Sequence, residues 1–212
     1  MESNSAVIQY HVIINSPRTS TGSVRYAQEI GIELSKQTLT NATDFIWTLL
    51  QLNKETERKG VQDISLIIED MEGVAYTDDN EIHFSTKYVA NYSEDLKSEV
   101  IGILYHEMTH IWQWNGNGKT PGGLIEGIAD LVRLKANYAP SHWVQPGQGE
   151  RWDQGYDVTS RFLDYCNDLR DGFVADLNKK MRSDYKVEYF VELLGKPVHQ
   201  LWNEYKAKHT AR

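Results

Sequence analysis

The stretch Ser98-Glu-Val-Ile-Gly-Ile-Leu-Tyr-His106-Glu107-Met-Thr-His110-Ile-Trp112 decides how the rest of the chain is read. An apolar run (Val100, Ile101, Ile103, Leu104) with helical spacing leads into His-Glu-x-x-His. Two residues four apart lie about 40° apart around a helix of 3.6 residues per turn, so both imidazoles leave one face. Such a pair can bind one Zn²⁺ through neutral ring nitrogens. Glu107, beside that face, can act as general base on a metal-bound water. A single histidine would be read as an ordinary packed or surface residue; the pair with a glutamate between is rarer.

A zinc site needs at least three protein ligands. After His110 the breaker cluster Asn115-Gly-Asn-Gly-Lys-Thr-Pro-Gly-Gly123 ends the first helix, and Leu124-Ile-Glu126-Gly-Ile-Ala-Asp130-Leu-Val-Arg-Leu-Lys135 begins a second. Leu124, Ile128, Leu131 and Leu134 form its apolar face, while Glu126 and Asp130, four apart, project together from another. Glu126 can be the third ligand. Asp130 can accept the distal N–H of a ligating histidine and fix its tautomer. The plain alternative is a solvated acidic face. Gly127 and Ala129 are small enough to let this helix press against the first. The extended pattern with Gly and a third His beyond the motif is disfavoured, because Gln113 and Gly116 stand there. Two histidines and a downstream glutamate leave the fourth position to water, as catalytic rather than structural zinc does.

These segments carry a resemblance. Glu126-Gly-Ile-Ala after His-Glu-x-x-His is similar to the Glu-Gly-x-Ala pattern of gluzincin peptidases, including the thermolysin-like and aminopeptidase groups. His106-Glu-Met-Thr-His-Ile-Trp-Gln-Trp114, Gly123-Leu-Ile-Glu-Gly-Ile-Ala-Asp-Leu-Val-Arg133 and Arg151-Trp-Asp-Gln-Gly-Tyr-Asp-Val-Thr-Ser-Arg-Phe-Leu-Asp-Tyr165 resemble the plant basic secretory protein family, the peptidases of plants and bacteria. The likeness continues through Gly172–Met181 and Val191–Lys196. It implies a secreted zinc metallopeptidase of zincin-like fold, associated with plant defence and placed in the apoplast. The ligand set it implies falls on His106, His110 and Glu126. One departure stands out: the family is called basic and this chain is acidic.

With 212 residues the chain suits one domain with a substantial core, a sheet-containing half over about 1–118 and a helical half over about 119–212. Its 40% hydrophobic and 25% charged residues are ordinary for a globular protein. No apolar run approaches the ~20 residues that span a bilayer. A formal charge of −8 argues against a nucleic-acid partner, which wants a basic patch. A monomer acting on peptide or protein is expected. The single cysteine, Cys166, excludes an intramolecular disulfide and reads as a buried small hydrophobe. Met1-Glu-Ser-Asn-Ser5 lacks the apolar core of a signal peptide, so either the protein is cytosolic or its signal has been removed, and the resemblance favours the second. Asn41-Ala-Thr43 and Asn91-Tyr-Ser93 match the N-glycosylation pattern.

Around the zinc helix the expected fold is α+β: a small twisted mixed sheet with helices on it, a helical C-terminal lobe, and the cleft between. Strands are expected at Ala6–Asn15, Asp63–Asp70, Val74–Thr77 and from Glu81 to Val89. Gly22 to about Asn53 reads helical, with a break near Leu39-Thr40-Asn41. Ile82 to Ser85, just before the zinc helix, is expected at the sheet edge lining the cleft, where an extended peptide could pair. The irregular stretch Asn137–Tyr156 can form the far wall. Within it Tyr156, then His142, are candidates to stabilise the developing oxyanion. From Asp157 onward the chain reads helical. A non-catalytic binding protein on the same scaffold is the alternative function; the intact Glu107 argues against it.

Overall fold

Gly31 has φ +69°, a left-handed conformation that glycine adopts without steric cost. It separates two helices that would otherwise be one, α1 (Thr21–Glu29) and α2 (Gly31–Leu49). The break expected at Leu39-Thr40-Asn41 does not occur. Thr38 and Thr40 turn their hydroxyls back to the carbonyls of Leu34 and Lys36, so these residues are accommodated inside α2. The computed structural model describes residues 7–210. Met1 to Ala6, which include the polar opening residues and the first residue of the expected opening strand, lie outside them.

Four strands form one mixed sheet: β1 (Gln9–Asn15), β2 (Asp63–Glu69), β3 (Ala75–Asp78) and β4 (Glu81–Ser85). Their spatial order is β1-β2-β4-β3. β1 and β4 run parallel to β2, and β3 runs antiparallel to β4. The parallel β1–β2 pair requires a long crossover, which α1 and α2 supply. Alternation puts Ile64, Leu66, Ile68, Ile82 and Phe84 on the inner face, all fully buried. Leu39 and Ile46 of α2 belong to the same core, with Val100 and Leu104 of the helix that carries the motif.

The strand expected over Glu81–Val89 ends at Ser85, whose side chain caps a short helix, α3 (Thr86–Asn91). The placement of Ile82–Ser85 at the sheet edge is corrected. β4 is an interior strand, hydrogen-bonded on both sides, and the free edge belongs to β3. β3 crosses past β4's position and the hairpin at Asp79-Asn80 brings β4 back inside it.

α4 (Leu96–Trp112) starts at Asp95, whose carboxylate accepts the Ser98 N–H. It is buried along most of its length, polar residues included. The glycine-rich turn leads into α5 (Gly122–Lys135). After the irregular 136–155 stretch follow α6 (Tyr156–Leu169), α7 (Phe173–Lys180), α8 (Tyr189–Leu194) and α9 (Val198–Thr210). Phe162 of α6 gathers Phe190, Trp202 and Tyr205 at ring separations of 6.3, 5.4 and 5.7 Å, an aromatic core for the helical part. Cys166 lies in α6, free and fully buried.

The expected role of Gly127 against the first helix is also corrected. A Cβ at Gly127 would lie 2.2 Å from Thr159 Cγ2, so Gly127 serves the contact with α6. On α4 it is Gly102 that leaves room for α5's Arg133 side chain and for Tyr138 beyond it, where a Cβ would lie 2.6 Å from Arg133 Nε and 2.9 Å from Tyr138 Cβ.

Candidate metal centre

The turn of α4 that holds His106 and His110 points both rings at α5. Their Nε2 atoms are 3.1 Å apart. Glu126, one turn into α5, places Oε2 3.1 Å from His106 Nε2 and 3.6 Å from His110 Nε2. Donors bound at about 2.0–2.1 Å in a tetrahedron sit about 3.3 Å from one another. The three atoms thus form a triangle the size of one face of a tetrahedral zinc shell, and they could hold a metal ion.

Asp130, a further turn along α5 and 4% exposed, accepts a hydrogen bond at 2.6 Å from His106 Nδ1. That bond puts the ring proton on Nδ1 and leaves the Nε2 lone pair facing Glu126 and His110. His110 Nδ1 has the amide of buried Gln113 at 2.7 Å, while Gln113 Oε1 is buried without a partner. The same amide nitrogen donates to the Ile125 carbonyl at 3.3 Å, which anchors Gln113 between the ring of His110 and α5.

The centre is short of positive charge. Burial alone would disfavour a charged His106, yet the hydrogen bonds to Asp130 and Glu126 outweigh it and raise its pKa well above the ordinary value. Burial would likewise raise Glu126, but the bonds from His106 and His110 bring it down to about 2. A cluster that would draw a proton onto a buried imidazole is one that a divalent cation satisfies.

Glu107 is 6% exposed and its Oε2 accepts the Thr77 hydroxyl at 2.7 Å. Tyr156 begins α6 with φ +47° after Gly155 at φ +102°, is 57% exposed, and lays its ring over that of His106, centroids 6.1 Å apart and planes within 10°. The charge of Glu126 and then partial burial hold the Tyr156 hydroxyl in its protonated form by raising its pKa. His142 is exposed and lines the same cleft from the irregular stretch. Trp143 and Trp152 of that stretch are buried, so both serve mainly in packing.

The three donors, Glu107, Asp130, Gln113, Tyr156 and His142 face one cleft of about 910 Å³. Its walls include residues that no motif marks. Val74–Thr77 bring the free edge of β3 to it, and Lys59 flanks its far end beneath the close of α4. A buried ion pair, Arg133 Nη2 to Glu99 Oε2 at 2.7 Å, closes the other end. Lys59 and Thr77 stand in no motif, and only the chain path brings them here. Arg133 and Glu99 lie on the quoted helices, but their pairing depends on how those helices cross.

The fold and the centre together define a mixed α+β protein with a two-histidine, one-carboxylate candidate metal site at the meeting of two consecutive helices. Within that class the chain belongs to the family described as peptidase of plants and bacteria, whose profile matches residues 6–205. A "Basic secretory protease" of Boswellia serrata is 48% identical over 58 residues, covering 27% of this chain and 66% of the relative. No solved structure matches.

Proposed function

We propose that the chain is a zinc-dependent peptidase of zincin-like, gluzincin type, acting as a single unit outside the cell. The observation that carries this reading is the donor triangle of His106, His110 and Glu126 lying beside an unliganded carboxylate, Glu107, in the main cleft. The family description supports peptide hydrolysis, and the relative's name supports secretion. Among the described residues no helix is long and apolar enough to cross a membrane.

A zinc ion held there would supply a water of pKa near ~7 and polarise the scissile carbonyl. The chain's own groups do the rest. Asp130 holds His106 in the ligating tautomer, and Gln113, in contact with Nδ1 of His110, positions the second ring. Glu107 takes the proton from the attacking water and later delivers it to the leaving amine. The Tyr156 hydroxyl is the first candidate to donate to the developing oxyanion and His142 the second. An extended peptide pairs with the edge strand β3, whose residues Ala75 to Thr77 line the cleft. The substrate is a peptide or protein, the acting form a monomer, and the setting the plant apoplast, in defence.

The test is hydrolysis of a protein substrate by the purified chain, with chelator and with zinc restored. Cleavage that stops on chelation and returns with Zn²⁺ is expected. Cleavage indifferent to chelation, or none in protein carrying one equivalent of zinc, contradicts the proposal.

A further inference from the structure

We infer that Thr77 is the positioning residue of the general base: its hydroxyl, fixed on the edge strand β3, holds the Glu107 carboxylate toward the metal donors. The inference rests on the peptidase reading above. Thr77 Oγ1 lies 2.7 Å from Glu107 Oε2 and 3.0 Å from Glu107 O. A hydroxyl has one hydrogen, and a bond to an ionised carboxylate is the stronger use of it. Oε1 takes no hydrogen bond from any described residue, and Glu107 lines the cleft, so one oxygen is tethered and the other is left for proton transfer. A glutamate side chain has three rotatable bonds, and without a tether the carboxylate has no fixed aim.

The strand register makes the tether specific. Asp79, at φ +49°, and Asn80 close a two-residue hairpin that pairs Thr77 with Ile82 and Tyr76 with His83. Ile82 is fully buried on the inner face, whereas Tyr76 stacks on His83 at 4.5 Å on the outer one. A slip by one residue would present Tyr76 or Asp78 to Glu107. A ring would crowd the carboxylate and a second carboxylate would repel it. The edge that would receive the substrate main chain is thus the edge that aims the base.

The experiment compares zinc-loaded wild type with T77V and T77S. Valine keeps the shape and the strand preference but removes the donor; serine keeps the donor. T77V should lose about tenfold or more in kcat with KM within about twofold. Its zinc content and Tm should be unchanged, and T77S should recover most of the rate. Crystals of zinc-loaded T77V should show Glu107 leaving its wild-type rotamer. A T77V enzyme with wild-type kcat, a loss confined to KM, or T77S no better than T77V would overturn the inference, as would an unmoved Glu107 rotamer. A wild type that holds zinc but cleaves nothing would remove the peptidase reading, while the rotamer comparison would still decide whether Thr77 aims Glu107.

Discussion

Glu107 and Glu126 are both carboxylates within reach of His106, yet their surroundings assign them different work. Glu126 is hydrogen-bonded to the His106 ring, has that of His110 at 3.6 Å and belongs to the ligand triangle; Glu107 is bonded by a hydroxyl and keeps an oxygen free. E107Q should therefore lower kcat by about a hundredfold or more while zinc still binds, read from turnover and metal content of the same preparation. D130N replaces the acceptor that fixes the His106 tautomer, and zinc affinity should weaken about 10–100-fold in competition with a chelator. The depressed Glu126 also makes a pH prediction. Its folded pKa, about 2, lies below the ordinary 4.5, so the charged carboxylate stabilises the fold above pH 4.5 and that contribution is lost as pH falls toward 2. In metal-free protein the Tm advantage of wild type over E126Q should shrink across that window; an advantage that grows there contradicts the assignment. His106, Glu107, His110, Glu126 and Asp130 were legible in the sequence because each lies one helical turn or one residue from another. Thr77 was not: its partner is thirty residues away, and strand register is set by a hairpin whose geometry a single sequence does not display.

The errors of sequence reading lie between elements. Helices α4 and α5 were legible almost to their ends, since their apolar spacing and breakers are local signals. The division of α1 from α2 fell on Gly31 rather than on the Thr-rich stretch, because a lone glycine carries no sign of its φ in advance. The sheet edge was assigned to β4 instead of β3 because order within a sheet depends on crossings, which periodicity does not encode. The same holds for Gly127, whose neighbour is α6. Its substitution tests that contact. Alanine would favour the helix by up to about 1 kcal/mol, but overpacking a tight interface costs about 1–3 kcal/mol. Thr159 cannot swing aside, as its hydroxyl joins the Trp152 carbonyl to the Gly155 N–H. G127A should lower the urea midpoint with an unchanged slope, measured by far-UV circular dichroism.

Over the whole molecule the centre joins the part that carries the sheet to the part that is helical. His106 and His110 come from the helix packed on the sheet, and Glu126 from the helix packed on α6. An ion there binds the folded chain and has no equal site in the unfolded one, so chelation should lower Tm and zinc should restore it. At a thousandfold excess over Kd the linkage is worth about 4 kcal/mol. A Tm indifferent to both treatments would show that the donors hold no ion. The α+β class and the helical C-terminal lobe were legible from the order of patterns along the chain. One wall of the cleft was legible too, as His142 and Tyr156 of the irregular stretch line it; Lys59 and Val74–Thr77 were not, because only the tertiary path brings that loop and that strand to the site. Finally, Cys166 sits sealed inside α6, its thiol pushed up by burial and without a second cysteine to meet. Thiol reagents then have nothing to sever. The protein should keep its shape in dithiothreitol, mature without an oxidising folding machinery, and be obtainable intact from the reducing cytoplasm of a bacterial host.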